Sequence, residues 1–217
     1  IQSMVNEIDT RGEGFPLFLF CSGGKGYHGY VTVELNWFCK HPLKLLDPAG
    51  KEVPYQRIHT KAKVRNYVLG GRRSIVFPAD IPSYGFTVYR LLIEEPSLCY
   101  NNEMELDKAE AYQMENDFIK VAFHPQTGLL EALIDKETGY NCLKSPISFQ
   151  IWKDERDTWG NFQEREYGDT NHRMKLVSIE KVESGKIREC IRAIYEFEGS
   201  KIEQRYYLYA EDKEIVV

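Results

Sequence analysis

The sequence predicts an all-β protein, and three features of the residue pattern carry that prediction. Aromatic residues make up 13% of the 217 residues, with 14 Tyr and 11 Phe against 4 Met, a balance that suits pleated, half-buried strand surfaces. Short apolar runs and period-two alternations recur along the chain, and turn residues separate them. Many short strands at turn spacing predict a sandwich-like architecture.

In the first half of the chain, one apolar run and one alternating segment define the clearest strands. Residues 15–20 form a continuous apolar run, which predicts a strand buried on both faces. After a Gly-rich break, residues 30–38 alternate, with apolar side chains at every second position from Val31, which predicts a half-buried strand. Residues 47–50 read as a turn with Pro at its second and Gly at its fourth position. Strands are also predicted over residues 74–77 and 85–92.

The second half reads as a meander of strands joined by Gly-containing turns. Residues 118–123 and 129–134 are predicted strands, each followed by a turn that ends in Thr-Gly, at Gly128 and Gly139. Glycine adopts the positive φ that closes such loops. Residues 191–197 and 202–208 alternate as two further strands.

A polar, acidic stretch over residues 96–114 shows little periodicity and predicts a domain boundary. We therefore expect a small β-sandwich domain over residues 1–97 and the N-terminal part of a larger β-sandwich domain over residues 98–217. The chain begins at Ile1 and its last four residues read as the middle of a strand, so we expect a piece of a longer protein.

Composition and charge exclude several classes of partner. Hydrophobic residues are 42% and charged residues 28%, as in ordinary globular proteins. The net charge of −5 gives no reason to expect nucleic acid, and no apolar run reaches the length of a membrane span. The five Cys are scattered, without a C-x-x-C pair, and no signal peptide is visible, so a reducing, cytoplasmic location is expected.

The familiar catalytic and metal-binding motifs do not occur in the sequence. There is no G-x-S-x-G, and the Gly-rich residues 21–26 lack the spacing of a phosphate loop. The five His lack metal-ligand spacing, so no catalytic residue and no metal ligand is assigned to this chain. Basic residues alternate along residues 57–65, which indicates either a surface for an anionic ligand or, as we favour, a solvated strand face.

One loop combines residue types that suit sugar recognition. Residues 151–162 interleave carboxylates with aromatic rings; rings stack on the C–H face of a pyranose while Asp and Asn bond its hydroxyls. Glycosidases use paired carboxylates as acid and nucleophile, and Asp154 and Asp157 are candidates for such a pair, but nothing in their spacing fixes their separation. A polar loop without ligand is the alternative interpretation.

Four stretches, taken in order, resemble the region that follows the catalytic domain in family 38 glycoside hydrolases, the α-mannosidases. Residues 15–20 with the alternating strand after them are similar to the opening "vvvfNPlsw…vvev", and residues 45–56 to "v.d..G..vp.Q". Residues 75–86 resemble "l.f.a.vPplGy". Residues 114–139 are close to "lENe.lrv.fd..tG.l.sl.Dk.tg".

That resemblance implies a fold and a function for the longer protein. The implied fold is a small immunoglobulin-like sandwich followed by the start of a galactose-mutarotase-like supersandwich. The implied activity is that of a retaining, zinc-dependent α-mannosidase acting on terminal α-mannosides or oligosaccharides. Its nucleophile and zinc ligands would lie in an N-terminal catalytic domain outside this chain, which would be a partner of these sandwiches. A homo-oligomer is a further possibility.

The resemblance also implies a role for the loop over residues 151–162. Asp157, Thr158 and Trp159 fall where many bacterial relatives carry "DAWD", although Gly160 replaces the final Asp. We therefore expect Asp154, Asp157, Thr158 and Trp159 to contact substrate without breaking the glycosidic bond. The alternative from another class is a stand-alone carbohydrate-binding or adhesion module.

Overall fold

The structure, a computed structural model, describes residues 8–35, 43–59, 73–94, 112–153, 165–166 and 173–217. Every regular element within these ranges is a β-strand, and the strands assemble into several small sheets. The predicted all-β sandwich class is confirmed. The chain divides into two compact units, Ile1–Glu105 and Leu106–Val217. The predicted boundary at residues 97/98 stays a prediction, because residues 95–111 lie outside the described ranges.

The first unit packs two three-stranded antiparallel sheets around one core. Its strands are β1 (Phe15–Phe20), β2 (Tyr27–Leu35), β3 (Leu43–Leu46), β4 (Gln56–His59), β5 (Arg73–Ile81) and β6 (Phe86–Ile93). The sheet orders are β1-β6-β3 and β2-β5-β4. The core takes side chains from both sheets, including Leu19, Leu35, Leu45, Ile75, Phe77, Tyr89 and Leu91.

The prediction that β1 is buried on both faces is wrong. Leu19 is buried and Leu17 packs beside it, but Phe20 is 54% exposed. The physical reason is that this sheet has only one face toward the core, so alternate side chains of its strands point away from the core; Phe86, the partner of Phe20 on the central strand β6, is also 46% exposed. The alternation predicted for the next strand is confirmed at Val31, Val33 and Leu35, which all face the core.

The turn over residues 47–50 forms as predicted. The Gly50 amide donates to the Asp47 carbonyl at 2.9 Å, and Gly50 has a φ of 81°. The Asp47 carboxylate also accepts from the amides of Ala49 and Lys51, at 2.9 and 2.8 Å. An Asx-type turn of this kind fixes the direction in which the chain leaves β3.

The second unit pairs a three-stranded sheet with a four-stranded sheet. Its strands are β7 (Gln113–Glu115), β8 (Ile119–Phe123), β9 (Leu130–Asp135), β10 (Trp152–Lys153), β11 (Arg165–Glu166), β12 (Lys175–Glu183), β13 (Arg188–Phe197), β14 (Ser200–Tyr209) and β15 (Ile215–Val216). The sheet orders are β7-β8-β9, β10-β11 and β12-β13-β14-β15. Its core includes Met114, Val121, Phe123, Leu130, Ile191, Ala193, Tyr195, Tyr206 and Leu208.

Tyr195, near the C-terminal end of β13, joins the two larger sheets of this unit. Its hydroxyl donates to the carbonyl of Gly128 at 2.6 Å, and Phe149 packs edge-on against its ring with centroids 4.7 Å apart. Gly128 has a φ of 66°, as predicted for the turn that it closes, and Gly139 in the next turn has a φ of 71°. The two glycines differ in their surroundings, because a Cβ on Gly128 would lie 2.5 Å from a Leu176 methyl group whereas one on Gly139 would meet nothing within 4 Å.

Gly128→Ala should therefore destabilise the second unit far more than Gly139→Ala. Both substitutions force alanine into the left-handed region, at a cost of about 1–2 kcal/mol, but only Gly128→Ala adds an overpacking cost of about 1–3 kcal/mol. Urea unfolding of the two single variants measures the difference. Equal losses would show that the contact between the turn and Leu176 does not constrain the fold.

Candidate functional site

The predicted sugar-contact loop is bounded by a two-stranded antiparallel sheet. β10 pairs with β11, with Trp152 opposite Glu166 and Lys153 opposite Arg165. Because β10 and β11 are paired, the Cα atoms of Lys153 and Arg165 face each other, and such opposed atoms lie about 4.5–5.5 Å apart. The segment 154–164 therefore begins and ends at the same small sheet. The predicted contact residues Asp154, Asp157, Thr158 and Trp159 lie outside the described residues. Their contact with sugar remains a prediction.

The densest polar arrangement in the described residues lies on the four-stranded sheet, on the face away from the core. Alternate residues of β13 point into the core at Ile191, Ala193 and Tyr195, so the residues between them occupy the opposite face. Paired strands place further polar and aromatic side chains beside them. We call this set the charged face; it comprises Glu180, Glu183, Arg188, Cys190, Arg192, Glu203, Arg205, Tyr207 and Tyr209.

A buried ion pair lies at one end of the charged face, beside the turn between β12 and β13. Arg188 donates through Nε to Glu183 Oε2 at 2.6 Å and through Nη2 to Glu183 Oε1 at 3.0 Å. Its Nη1 bonds the hydroxyl of Tyr209 at 3.1 Å. The side chains of Arg188 and Glu183 are only 8% and 6% exposed. Two parallel bonds between guanidinium and carboxylate give the geometry that such a desolvated pair requires.

Aromatic rings complete the environment of Arg188. Its guanidinium carbon lies 4.5 Å from the centroid of the Tyr207 ring and 5.7 Å from that of Tyr209. Burial acts to lower the pKa of Arg188, but the hydrogen bond and charge of Glu183, together with Tyr209, outweigh it and raise that pKa above its ordinary value. Arg188 is therefore a permanent cation held inside the protein.

Beside this pair, the charged face contains a buried thiol and a second arginine. Cys190 is fully buried, and burial followed by the charge of Glu183 raises the pKa of its thiol to about 12. Arg192 donates to Glu180 at 2.7 Å, and its Nε is buried without a hydrogen-bond partner among the described residues. A thiol that keeps its proton is a poor nucleophile, so Cys190 does not suit covalent catalysis.

A cleft of about 200 Å³ opens at one end of the second unit, where the β7–β8 turn approaches the ends of β13 and β14. Its polar lining includes the carboxylates of Glu115 and Glu189. Each carboxylate is paired with a lysine, Glu115 with Lys136 at 3.6 Å and Glu189 with Lys181 at 2.8 Å. Asp117 also lines the cleft. No acid and nucleophile pair is assigned to these carboxylates, since Glu115 and Glu189 are held in ion pairs.

Asn116 fixes one wall of that cleft. Its Nδ2 donates to the carbonyls of Tyr209 and Asp212, both at 2.7 Å, and its Oδ1 accepts from the amides of Phe118 and Ile119 at 2.9 and 2.8 Å. All four side-chain bonds serve backbone groups. Asn116 therefore ties the three-stranded sheet to the end of the four-stranded sheet, a structural role rather than a catalytic one.

Within the described ranges, no three His, Cys, Asp or Glu side chains converge closely enough to hold a metal ion. The residues present there therefore do not supply a zinc ligand set, and no chemical step is assigned through zinc. The same part of the chain contains no helix long and apolar enough to cross a membrane.

Sequence reasoning missed Arg188, Glu183 and Asn116. The alternation of β13 was recognised only from Ile191 onward, and the two charged residues sit on either side of the turn that precedes it. The alternation of Glu183 and Arg188 with core residues is the signal that could have placed these two side chains on one face of the sheet. Their burial was not predictable, because it depends on the aromatic rings of β14 beside them.

Part of the chain matches a known protein family. Residues 114–217 match the sequence model described as "Glycosyl hydrolases family 38 C-terminal domain". The chain is also similar to a crystal structure of a protein in the glycosyl hydrolase family 38 from Enterococcus faecalis, at 14% sequence identity and a TM-score of 0.49. That likeness covers 92% of this chain but 30% of the other, so the chain spans less than a third of that protein's length. No curated protein matches the sequence.

Arg188→Met should lower the free energy of unfolding of the second unit by about 3–5 kcal/mol, because it leaves the buried Glu183 carboxylate without its bidentate partner. Urea unfolding measures the loss. Arg205→Met is the matched control: Arg205 pairs with Glu203 at 2.7 Å with side chains 29% and 44% exposed, and its loss should be about 0–1 kcal/mol. The double variant Arg188→Met, Glu183→Leu should recover much of the stability, and a failure to recover any would contradict the buried-charge explanation.

Proposed function

We propose, from the match of residues 114–217 to the C-terminal domain of the family 38 glycosyl hydrolases, that the chain is the non-catalytic β-sandwich portion of a glycoside hydrolase. The finer proposal for the longer protein is a retaining, zinc-dependent α-mannosidase that removes terminal α-mannosyl residues in the cytoplasm. The observation that supports the non-catalytic part is the ion pairing of three carboxylates at the cleft and the charged face. Glu115, Glu183 and Glu189 are each bound to a lysine or arginine.

In this proposal the described sheets act as a support. A glycosidase positions an acid and a nucleophile at a separation that decides the stereochemical outcome, which requires a rigid scaffold. Tyr195, Asn116 and the pair of Arg188 with Glu183 each connect different strands of the second unit. The catalytic residues and the zinc ligands would come from the longer protein's own N-terminal domain, which is the proposed partner of these sandwiches.

The loop between β10 and β11 is the proposed point of substrate contact. Asp154, Asp157, Thr158 and Trp159 would line the sugar pocket, with Trp159 against a pyranose face and the carboxylates bonding hydroxyls. A support for this assignment is that the strands on either side of the segment, β10 and β11, pair with each other, so that both ends of the segment lie at one small sheet.

The isolated chain of 217 residues should not hydrolyse p-nitrophenyl α-mannoside, with or without added zinc, whereas the longer protein should. The reason is that the acid, the nucleophile and the metal ligands are proposed to lie outside the chain. The measurement is the release of nitrophenol by equal molar amounts of the two purified proteins. Zinc-dependent turnover by the isolated chain would contradict the non-catalytic assignment, and an inactive longer protein would contradict the α-mannosidase proposal.

In the longer protein, Asp157→Ala should lower kcat/KM about ten- to a hundredfold while leaving the melting temperature unchanged. A lost hydrogen bond to a charged group is worth about 1.5–3 kcal/mol, which corresponds to that range. Asp117→Ala, at an exposed position of the β7–β8 turn, is the control and should leave kcat/KM unchanged. A drop in melting temperature with unchanged kcat/KM would show that Asp157 caps a turn and does not contact substrate.

A further inference from the structure

The turn between β5 and β6 holds one residue in an unusual backbone conformation. Tyr84 has a φ of 48°, and the other non-glycine residue with positive φ in the described ranges, Glu198, directly precedes the turn glycine Gly199. A left-handed backbone is unfavourable for a bulky residue, and such positions concentrate at functional sites. The Tyr84 side chain is also 75% exposed, so burial of its ring does not explain why a tyrosine occupies this position.

Hydrogen bonds fix this turn to the Gly-rich loop that follows β1. The Tyr84 amide donates to the carbonyl of Gly23 at 3.0 Å, and the Cys21 amide donates to the carbonyl of Gly85 at 2.9 Å. Within the turn, the Gly85 amide donates to the carbonyl of Pro82 at 3.2 Å. Tyr84 therefore projects from backbone that is bonded on both sides, and its position is defined.

One edge of the Tyr84 ring lies against a glycine. A Cβ added to Gly24 would lie 2.9 Å from the Tyr84 hydroxyl oxygen and 3.3 Å from two of its ring carbons. The absence of a side chain on Gly24 leaves room for the ring in this position. One edge of the ring therefore lies beside backbone while most of its surface is open to solvent, which is the form of an aromatic platform.

Two further exposed rings lie near this turn, one on the last residue of β1 and one on the first residue of β6. Phe20 and Phe86 are direct cross-strand partners, 54% and 46% exposed, and the Phe86 ring lies 5.2 Å from that of Phe18. Phe86, the first residue of β6, follows Tyr84 by two residues along the chain. Ser22 and Lys25 belong to the loop whose Gly23 carbonyl accepts from the Tyr84 amide, and they carry a hydroxyl and an amino group.

We propose that this turn and loop form an accessory contact site for a neutral hexopyranose, with the Tyr84 ring against the C–H face of the sugar. Rings supply the stacking surface and the nearby hydroxyl and amino groups bond sugar hydroxyls. The choice of a sugar rests on the proposed function, because the longer protein is proposed to act on glycosides. A partner protein that docked on this surface would contact the exposed side chains of Phe20 and Phe86. Such docking would not require a tyrosine in a left-handed backbone conformation at position 84.

The test uses the 217-residue chain and two probes, methyl α-D-mannopyranoside in solution and mannan immobilised in a native gel. Tyr84→Asn removes the ring but keeps a residue that tolerates the left-handed backbone. Tyr140→Asn removes another tyrosine, 63% exposed in the second unit, and serves as the matched control. Titration followed by NMR gives the affinity for the glycoside, and retardation in the gel reports binding to the polymer.

The expected result is binding by the unchanged chain and by Tyr140→Asn, with an affinity about tenfold lower for Tyr84→Asn, the loss expected for one aromatic contact. Equal affinity in all three proteins, or no binding of either probe by the unchanged chain, would overturn the site. Loss of self-association in Tyr84→Asn, without any effect on sugar, would assign the surface to protein contact and overturn it as well. Activity of the longer protein is measured separately, so failure of its α-mannosidase function leaves this result interpretable.

Discussion

The second unit depends on a single hydrogen bond that crosses its core, from the Tyr195 hydroxyl to the carbonyl of Gly128. A buried phenol without a partner would destabilise the core, and burial raises the pKa of this one, so that it remains a donor. The carbonyl belongs to the turn between β8 and β9, whereas Tyr195 belongs to β13. The bond therefore sets the position of one sheet relative to the other, and Gly128 is required because Leu176 occupies the space that a side chain would need.

At the other end of the same unit, Asn116 performs a comparable task with backbone groups. Its amide reaches the end of β14, and its carbonyl oxygen closes the β7–β8 turn. The two connections together fix both ends of the three-stranded sheet. The charged face on the far side of the four-stranded sheet adds a different constraint, because Arg188 and Glu183 are satisfied only when β12, β13 and β14 are in the correct register. A slip by one residue would separate a buried cation from a buried anion.

Local pattern was sufficient to predict much of the fold. Alternation identified the core face of β2 and of β13, and glycine placement identified the turns at Gly50, Gly128 and Gly139. The error at β1 shows the limit, since a run of apolar residues does not reveal whether one face or both faces of the sheet are covered. The candidate site was less predictable. The ion pair between Glu183 and Arg188 crosses a turn and depends on rings from β14, and the left-handed backbone of Tyr84 depends on its bond to Gly23, contacts that no local pattern encodes.

The burial of Cys190 beneath the charged face also decides how the chain responds to oxidants. Its thiol keeps a proton up to a pH of about 12 and is inaccessible to solvent, so peroxide and disulfides have neither a thiolate to react with nor a path to reach one. Cys142, in contrast, is a free and exposed thiol after β9. Oxidative modification of the described second unit should therefore begin at Cys142, where a bulky adduct extends into solvent, and spare the sheet that holds Arg188 in place.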